Sequence, residues 1–195
     1  MKQTKQLITV VSTLKHSQFS LRKIKYLTSI CLEVSPEPKW GLAIEVCGHK
    51  EMRRLNRDTR GINKPTDILT LPLNDAIRPG VFDKTKGKFV PHYGSIVLDE
   101  PYILNYCEEN GMDMNFYLPM LLVHGLCHAQ HYDHETDEDS LVMLMAERAM
   151  LRHLFTKIGY DPSSNCLNLW KKPDPERKHL LQENIDWASL LNLKQ

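Results

Sequence analysis

Apolar residues gather in short β-branched runs through the first half of the chain and recur at three- and four-residue spacing through the second. Gln6 to Val11 (QLITVV) predicts a first strand, and Leu21, Ile24, Leu27 and Ile30 to Leu32 share one face of a helix. Leu42 to Cys47 (LAIEVC) predicts a second strand stopped by Gly48, and His49 to Asn56 a short amphipathic helix. TRGINKPTD, at 59–67, is turn chemistry. Ile68 to Leu73 (ILTLPL) and Ser95 to Leu98 (SIVL) predict two more strands, separated by a polar, Gly- and Pro-bearing loop over 74–93. Three helices follow: Ile103 to Glu109, about Asn115 to Gln130, and Glu138 to about Leu154. The last opens on the capping-box-like Thr136-Asp137-Glu138-Asp139.

Strands first and helices afterwards point to an α+β protein, a small mixed β-sheet packed with helices. With 195 residues the chain can bury one ordinary core. We expect one main domain over 1–155 and a C-terminal extension over 156–195. Asp174-Pro175-Glu176 opens a helix there, and Leu180, Leu181, Ile185, Trp187, Leu190 and Leu191 are expected to pack it back onto the domain.

Composition narrows the function classes. No apolar run approaches the roughly 20 residues of a membrane-spanning helix, so no membrane partner is expected. A formal charge of +1 argues against a general polyanion binder and confines any nucleic-acid contact to a local patch. Residues 1–32 carry Lys2, Lys5, Lys15, Arg22, Lys23 and Lys25 without an acid, the composition of an organelle transit peptide. Their strand and helix patterning reads instead as folded chain. The five cysteines are odd in number and contain no CxxC pair, which suits a reducing compartment.

The chemistry is concentrated in HGLCHAQHYDH, at 124–134, which holds four of the nine histidines. His124 and His128 stand four apart, stacked on one helix face as the first two ligands of zincin-type sites are, and His134 follows at the third-ligand spacing. Three neutral imidazoles and an open fourth position make a catalytic zinc site rather than a structural one. The apolar neighbours Leu121, Leu122, Val123, Leu126 and Cys127 argue against a merely solvated histidine face, and Cys127 itself reads as buried packing. Position 125, where a zinc protease carries its Glu base, is Gly125. Peptide hydrolysis by that route is disfavoured, and glycine there admits close approach of substrate or of another backbone.

These residues resemble the YbeY endoribonuclease family, whose signature runs approximately H-G-x-x-H-x-x-G-Y-D-H. His124, Gly125, His128, Tyr132, Asp133 and His134 match it. RRLNRDTRGINKPTDILTLP, at 53–72, is similar to the family's second block, with Arg60, Pro65, Thr66 and Asp67 on matching positions. The resemblance implies a zinc-dependent endoribonuclease directed at single-stranded regions of ribosomal RNA, acting in rRNA maturation, ribosome biogenesis and quality control. It implies zinc on His124, His128 and His134, Arg60 as the functional arginine near it, ribosomal particles as possible partners, and no specificity for DNA. A cytoplasmic location follows, or an organelle of bacterial descent such as the mitochondrion. Two positions depart from the family. His131 replaces the glycine at the helix end, where a left-handed residue is expected; histidine tolerates that conformation better than most side chains, so the turn can survive, and whether His131 binds metal is left open. Ser95 stands where the family carries Asp.

Arg60 is expected to clamp phosphate oxygens bidentately, its alternative being an ion pair with Asp67. Lys64 is a weaker cation or a solvated turn residue. Tyr132 is a base-stacking ring or a core aromatic, and Asp133 is expected to orient a ligand imidazole rather than act as a base. The competing functions are a zinc metalloprotease-like hydrolase and a ribosome assembly factor with a structural metal.

Overall fold

The computed structural model describes residues 7–85 and 90–161. The elements are β1 (Ile8–Ser12), α1 (Leu21–Glu33), β2 (Gly41–Cys47), α2 (His49–Arg60), β3 (Ile68–Pro72), β4 (Ala76–Arg78), β5 (Val81–Phe82), β6 (His92–Asp99), α3 (Glu100–Asn110), α4 (Met114–Ala129) and α5 (Asp137–Ile158). Four strands form one sheet in the order β1-β2-β6-β3. The first three run parallel, and β3 closes the edge antiparallel to β6, pairing Ile68 with Leu98 and Thr70 with Ile96. This is the small mixed sheet expected of the α+β pattern.

Alternation along the strands assigns the two faces. Leu42, Ile44, Val46, Ile96 and Leu98 enter the main core with Ile24 and Leu27 of α1, Leu122 and Leu126 of α4, and Leu154 and Phe155 of α5. On the opposite face Cys47, Leu69 and Val97 pack under Met52 and Leu55 of α2. The sheet therefore separates α2 from α4.

The helices start where capping residues allow. Ser20, Asp99, Asp113 and Thr136 each accept a backbone N–H from the first turn of the helix they precede. α2 runs one turn past Asn56 to Arg60 and stops at Gly61, whose φ of +74° takes the left-handed conformation that ends helices. The 74–93 loop contains the hairpin β4–β5, with Pro79 and Gly80 at its turn. Strands of three and two residues are too short for hydrophobic periodicity to register. α3 begins at Glu100 rather than Ile103, because Asp99 caps it and Pro101 sits in its first turn. α5 continues to Ile158, so its last turn crosses the 155/156 boundary. The helix expected from Asp174-Pro175-Glu176 lies outside the described residues. Among the described residues, no helix is long and apolar enough to cross a membrane.

Candidate metal centre

α4 is buried on most sides, with Leu121, Leu122, Val123, Gly125, Leu126 and Cys127 all buried. Gly125 faces the sheet. A Cβ there would stand 2.7 Å from Ile68 Cδ1 and 3.1 Å from Ile96 Cδ1, and Thr70 Oγ1 donates to the Gly125 carbonyl at 3.3 Å. The close approach that glycine permits is therefore between helix and strands. His124 and His128 remain half-buried.

The helix ends by a left-handed turn. Gln130 is its cap, His131 has φ +63°, and the Tyr132 N–H donates to the Cys127 carbonyl at 3.1 Å. The chain then reverses and brings His134 back. One ring nitrogen from each of His124, His128 and His134 lies within 4.8 Å of the others.

The hydrogen bonds fix which nitrogens face inward. His124 Nδ1 meets Glu147 Oε1 at 2.7 Å, and His128 Nδ1 meets the Tyr132 carbonyl at 3.1 Å. A carbonyl only accepts, so the His128 proton sits on Nδ1 and Nε2 presents a lone pair; the carboxylate does the same for His124. The two Nε2 atoms face each other at 3.1 Å. Two lone pairs at that distance repel unless a cation lies among them. Burial, followed by the neighbouring His124 and His134, pushes the His128 imidazole down to about 4, so near neutrality it is in its ligating form. Three imidazoles suit a borderline divalent ion such as zinc, and the residues present fit one.

Glu147 was not foreseen from the sequence. It sits on α5 with Met143, Met150, Leu151 and Leu154, all buried, and this spacing places an acid on an apolar stripe. That misplaced charge was the legible signal. Asp133, expected to orient a ligand imidazole, is exposed and accepts the His134 backbone N–H at 2.8 Å instead. Tyr132 packs against the main core, the plainer of its two readings. Cys127 is fully buried, as expected. Ser95 lies inside the sheet between Ala43 and Leu71.

Arg60 is exposed at the end of α2, and among the described residues no ion pair or hydrogen bond links it to an acid or to the three histidines. The ion pair with Asp67 is absent. Asp67 instead accepts from the Tyr117 hydroxyl at 3.1 Å, the Thr66 hydroxyl at 3.1 Å and the Ile68 N–H at 2.8 Å. Lys64 is exposed in the same turn. His131 is held elsewhere: its Nε2 donates to the Asn74 carbonyl at 2.6 Å, which leaves the third-ligand position to His134.

A mixed sheet with a histidine-bearing helix on one face, closed by a third histidine beyond a left-handed turn, defines a class of α+β proteins whose three imidazoles could hold a metal ion. Residues 9–155 match the model of the family described as endoribonuclease YbeY, and the chain belongs to that family. Among its relatives, an endoribonuclease YbeY of Nitrosomonas europaea is 34% identical over 122 residues, covering 62% of this chain and 64% of its own length. The match thus spans just under two thirds of that relative. The human endoribonuclease YbeY is 32% identical over 121 residues, 62% of this chain and 72% of its own. The solution structure of a Thermotoga maritima protein superposes with a TM-score of 0.54 at 22% identity, covering 82% of this chain and 96% of that one; it shares the fold.

Proposed function

We propose that this protein is a zinc-dependent endoribonuclease that cuts single-stranded regions of ribosomal RNA during rRNA maturation, ribosome biogenesis and quality control. The observation that carries the reading is the convergence of three imidazole nitrogens, two of them with their outer Nδ1 positions held, in a chain of the YbeY family. When bound, the ion supplies positive charge to a phosphate and lowers the pKa of a water from 15.7 to about 7. The protein's own groups do the rest. Glu147 and the Tyr132 carbonyl keep His124 and His128 in the tautomer that presents Nε2. Arg60, uncommitted to any described acid, is free to grip two phosphate oxygens with its planar fork. Lys64 adds a point charge from the adjoining turn.

A protease reading is disfavoured by two features. A glutamate at position 125 would be driven into Ile68 and Ile96. The edge strand β3, where an extended peptide would add, has its Ile68 N–H taken by Asp67 Oδ1, and Pro72 has none to offer. The four described cysteines are buried and unpaired, which supports a reducing compartment: cytoplasm, or an organelle of bacterial descent.

The test is to incubate the purified protein and its His128→Ala variant with a labelled RNA, a DNA of the same sequence and casein. Cleavage of the RNA alone, lost in the variant, is the expected result. Casein degradation lost in the variant, with RNA intact, would establish the protease. If neither polymer is cut and the protein still co-sediments with ribosomal particles, the assembly-factor reading stands.

A further inference from the structure

We propose that His131 is a positioning residue that latches the β4–β5 hairpin to the metal-binding turn and so holds the Tyr132 carbonyl on His128. His131 is the one non-glycine residue with positive φ among the described residues, at +63°. Glycine takes that conformation without strain, whereas histidine, though it tolerates the conformation better than most side chains, does so at a cost that its contacts offset. Two contacts hold it. Its Nε2–H donates to the Asn74 carbonyl at 2.6 Å, and its ring meets Phe82 of β5 edge-on at 6.1 Å between centroids. Phe82 lies in the hairpin itself, and Asn74 lies two residues before its first strand.

The hairpin touches the same turn from its tip. The Gly80 N–H donates to the Gln130 carbonyl at 2.8 Å, and a Cβ on Gly80 would stand 2.9 Å from the Tyr132 hydroxyl, so tip and phenol are in close contact. Gln130, His131 and Tyr132 are thus gripped at three successive residues by one small element. Tyr132 is the residue whose carbonyl orients His128 and whose N–H closes the end of α4. Through it, the latch reaches the ligand set. A glycine at 131 would satisfy the backbone and lose both side-chain contacts.

This inference deepens the metal-centre reading and rests on it, so the experiment carries one readout that needs no metal. His131→Gly and His131→Asn both tolerate the left-handed backbone and both fall short of Asn74; His131→Gln keeps an N–H donor at similar reach. In metal-free protein, imidazole ¹⁵N shifts should place the His128 proton on Nδ1 in the parent and show mixed tautomers in the Gly and Asn variants, with Gln restoring the parent pattern. Zinc affinity by chelator competition should fall about tenfold in the Gly and Asn variants, as losing an outer partner of a ligand does. Unchanged His128 tautomer and unchanged zinc affinity, with only the melting temperature shifted, would reduce His131 to a structural tie and overturn the proposal. A parent protein that binds no zinc while the tautomer still responds to substitution would sink the metal centre and leave the latch standing.

Discussion

Glu147 of α5 accepts from His124 Nδ1 of α4 at 2.7 Å, with both side chains mostly buried. The bond crosses between two helices and fixes the ring of a proposed ligand from outside the histidine stretch. Carboxylate and imidazole together make the ring a better donor than it would be alone.

Glu147→Gln keeps the shape and loses the charge. Zinc affinity measured by chelator competition should fall about 10- to 100-fold. Circular dichroism of the metal-free variant should remain that of the parent.

Removal of the ligands tests the assignment itself. Protein purified without chelator should carry about one zinc per chain, and His124→Ala, His128→Ala or His134→Ala should each lose most of it. Full occupancy in the His134 variant would mean that His131 abandons the Asn74 carbonyl to serve as third ligand.

The metal-free centre should respond to acid. Burial and the neighbouring imidazoles push His128 from 6.5 down to about 4, so between those two pH values the unfolded chain binds more protons than the folded one. The stability this neutral imidazole contributes is complete above the ordinary value and is lost as pH falls through the window. Melting temperatures of metal-free protein from pH 7 to 4 should record a loss of about 2–3 kcal/mol. His128→Gln should flatten that part of the profile.

Arg60 is exposed and pairs with no described acid, so Arg60→Ala should leave zinc content and melting temperature nearly unchanged. RNA cleavage should fall about 10- to 100-fold, the worth of a charge-assisted pair of hydrogen bonds. Arg60→Lys should recover only part, since an ammonium cannot reproduce the fork. A parallel loss of thermal stability in the alanine variant would assign Arg60 to the fold.

The sequence made the three-histidine cluster legible because all three lie in one short stretch, in which the helix period interprets the spacing of His124 and His128 directly. The four main strands were legible for a similar reason: Leu42 to Cys47 and Ile68 to Leu73 are runs long enough for alternation to show. Glu147 escaped because its partner lies 23 residues away in sequence, and no local pattern reports a contact between helices. The hairpin escaped because five strand residues carry almost no periodic signal, so its grip on the metal-binding turn was invisible too. Gly125 was legible as a close approach, but only the packing of Ile68 and Ile96 against it says which surface approaches.

The locality of the proposed ligands has a thermodynamic corollary. His124, His128 and His134 fall within eleven residues, so an unfolded chain can still gather them around an ion at the modest entropic cost of closing a short loop. A ligand stabilises a protein only by its preference for the native state over the denatured one. Zinc should therefore protect this protein from heat or urea by less than its native affinity alone would give. The shortfall measures binding to the denatured chain. What the native state adds is supplied by the partners that denaturation removes: the Glu147 carboxylate from the next helix and the Tyr132 carbonyl fixed in its turn.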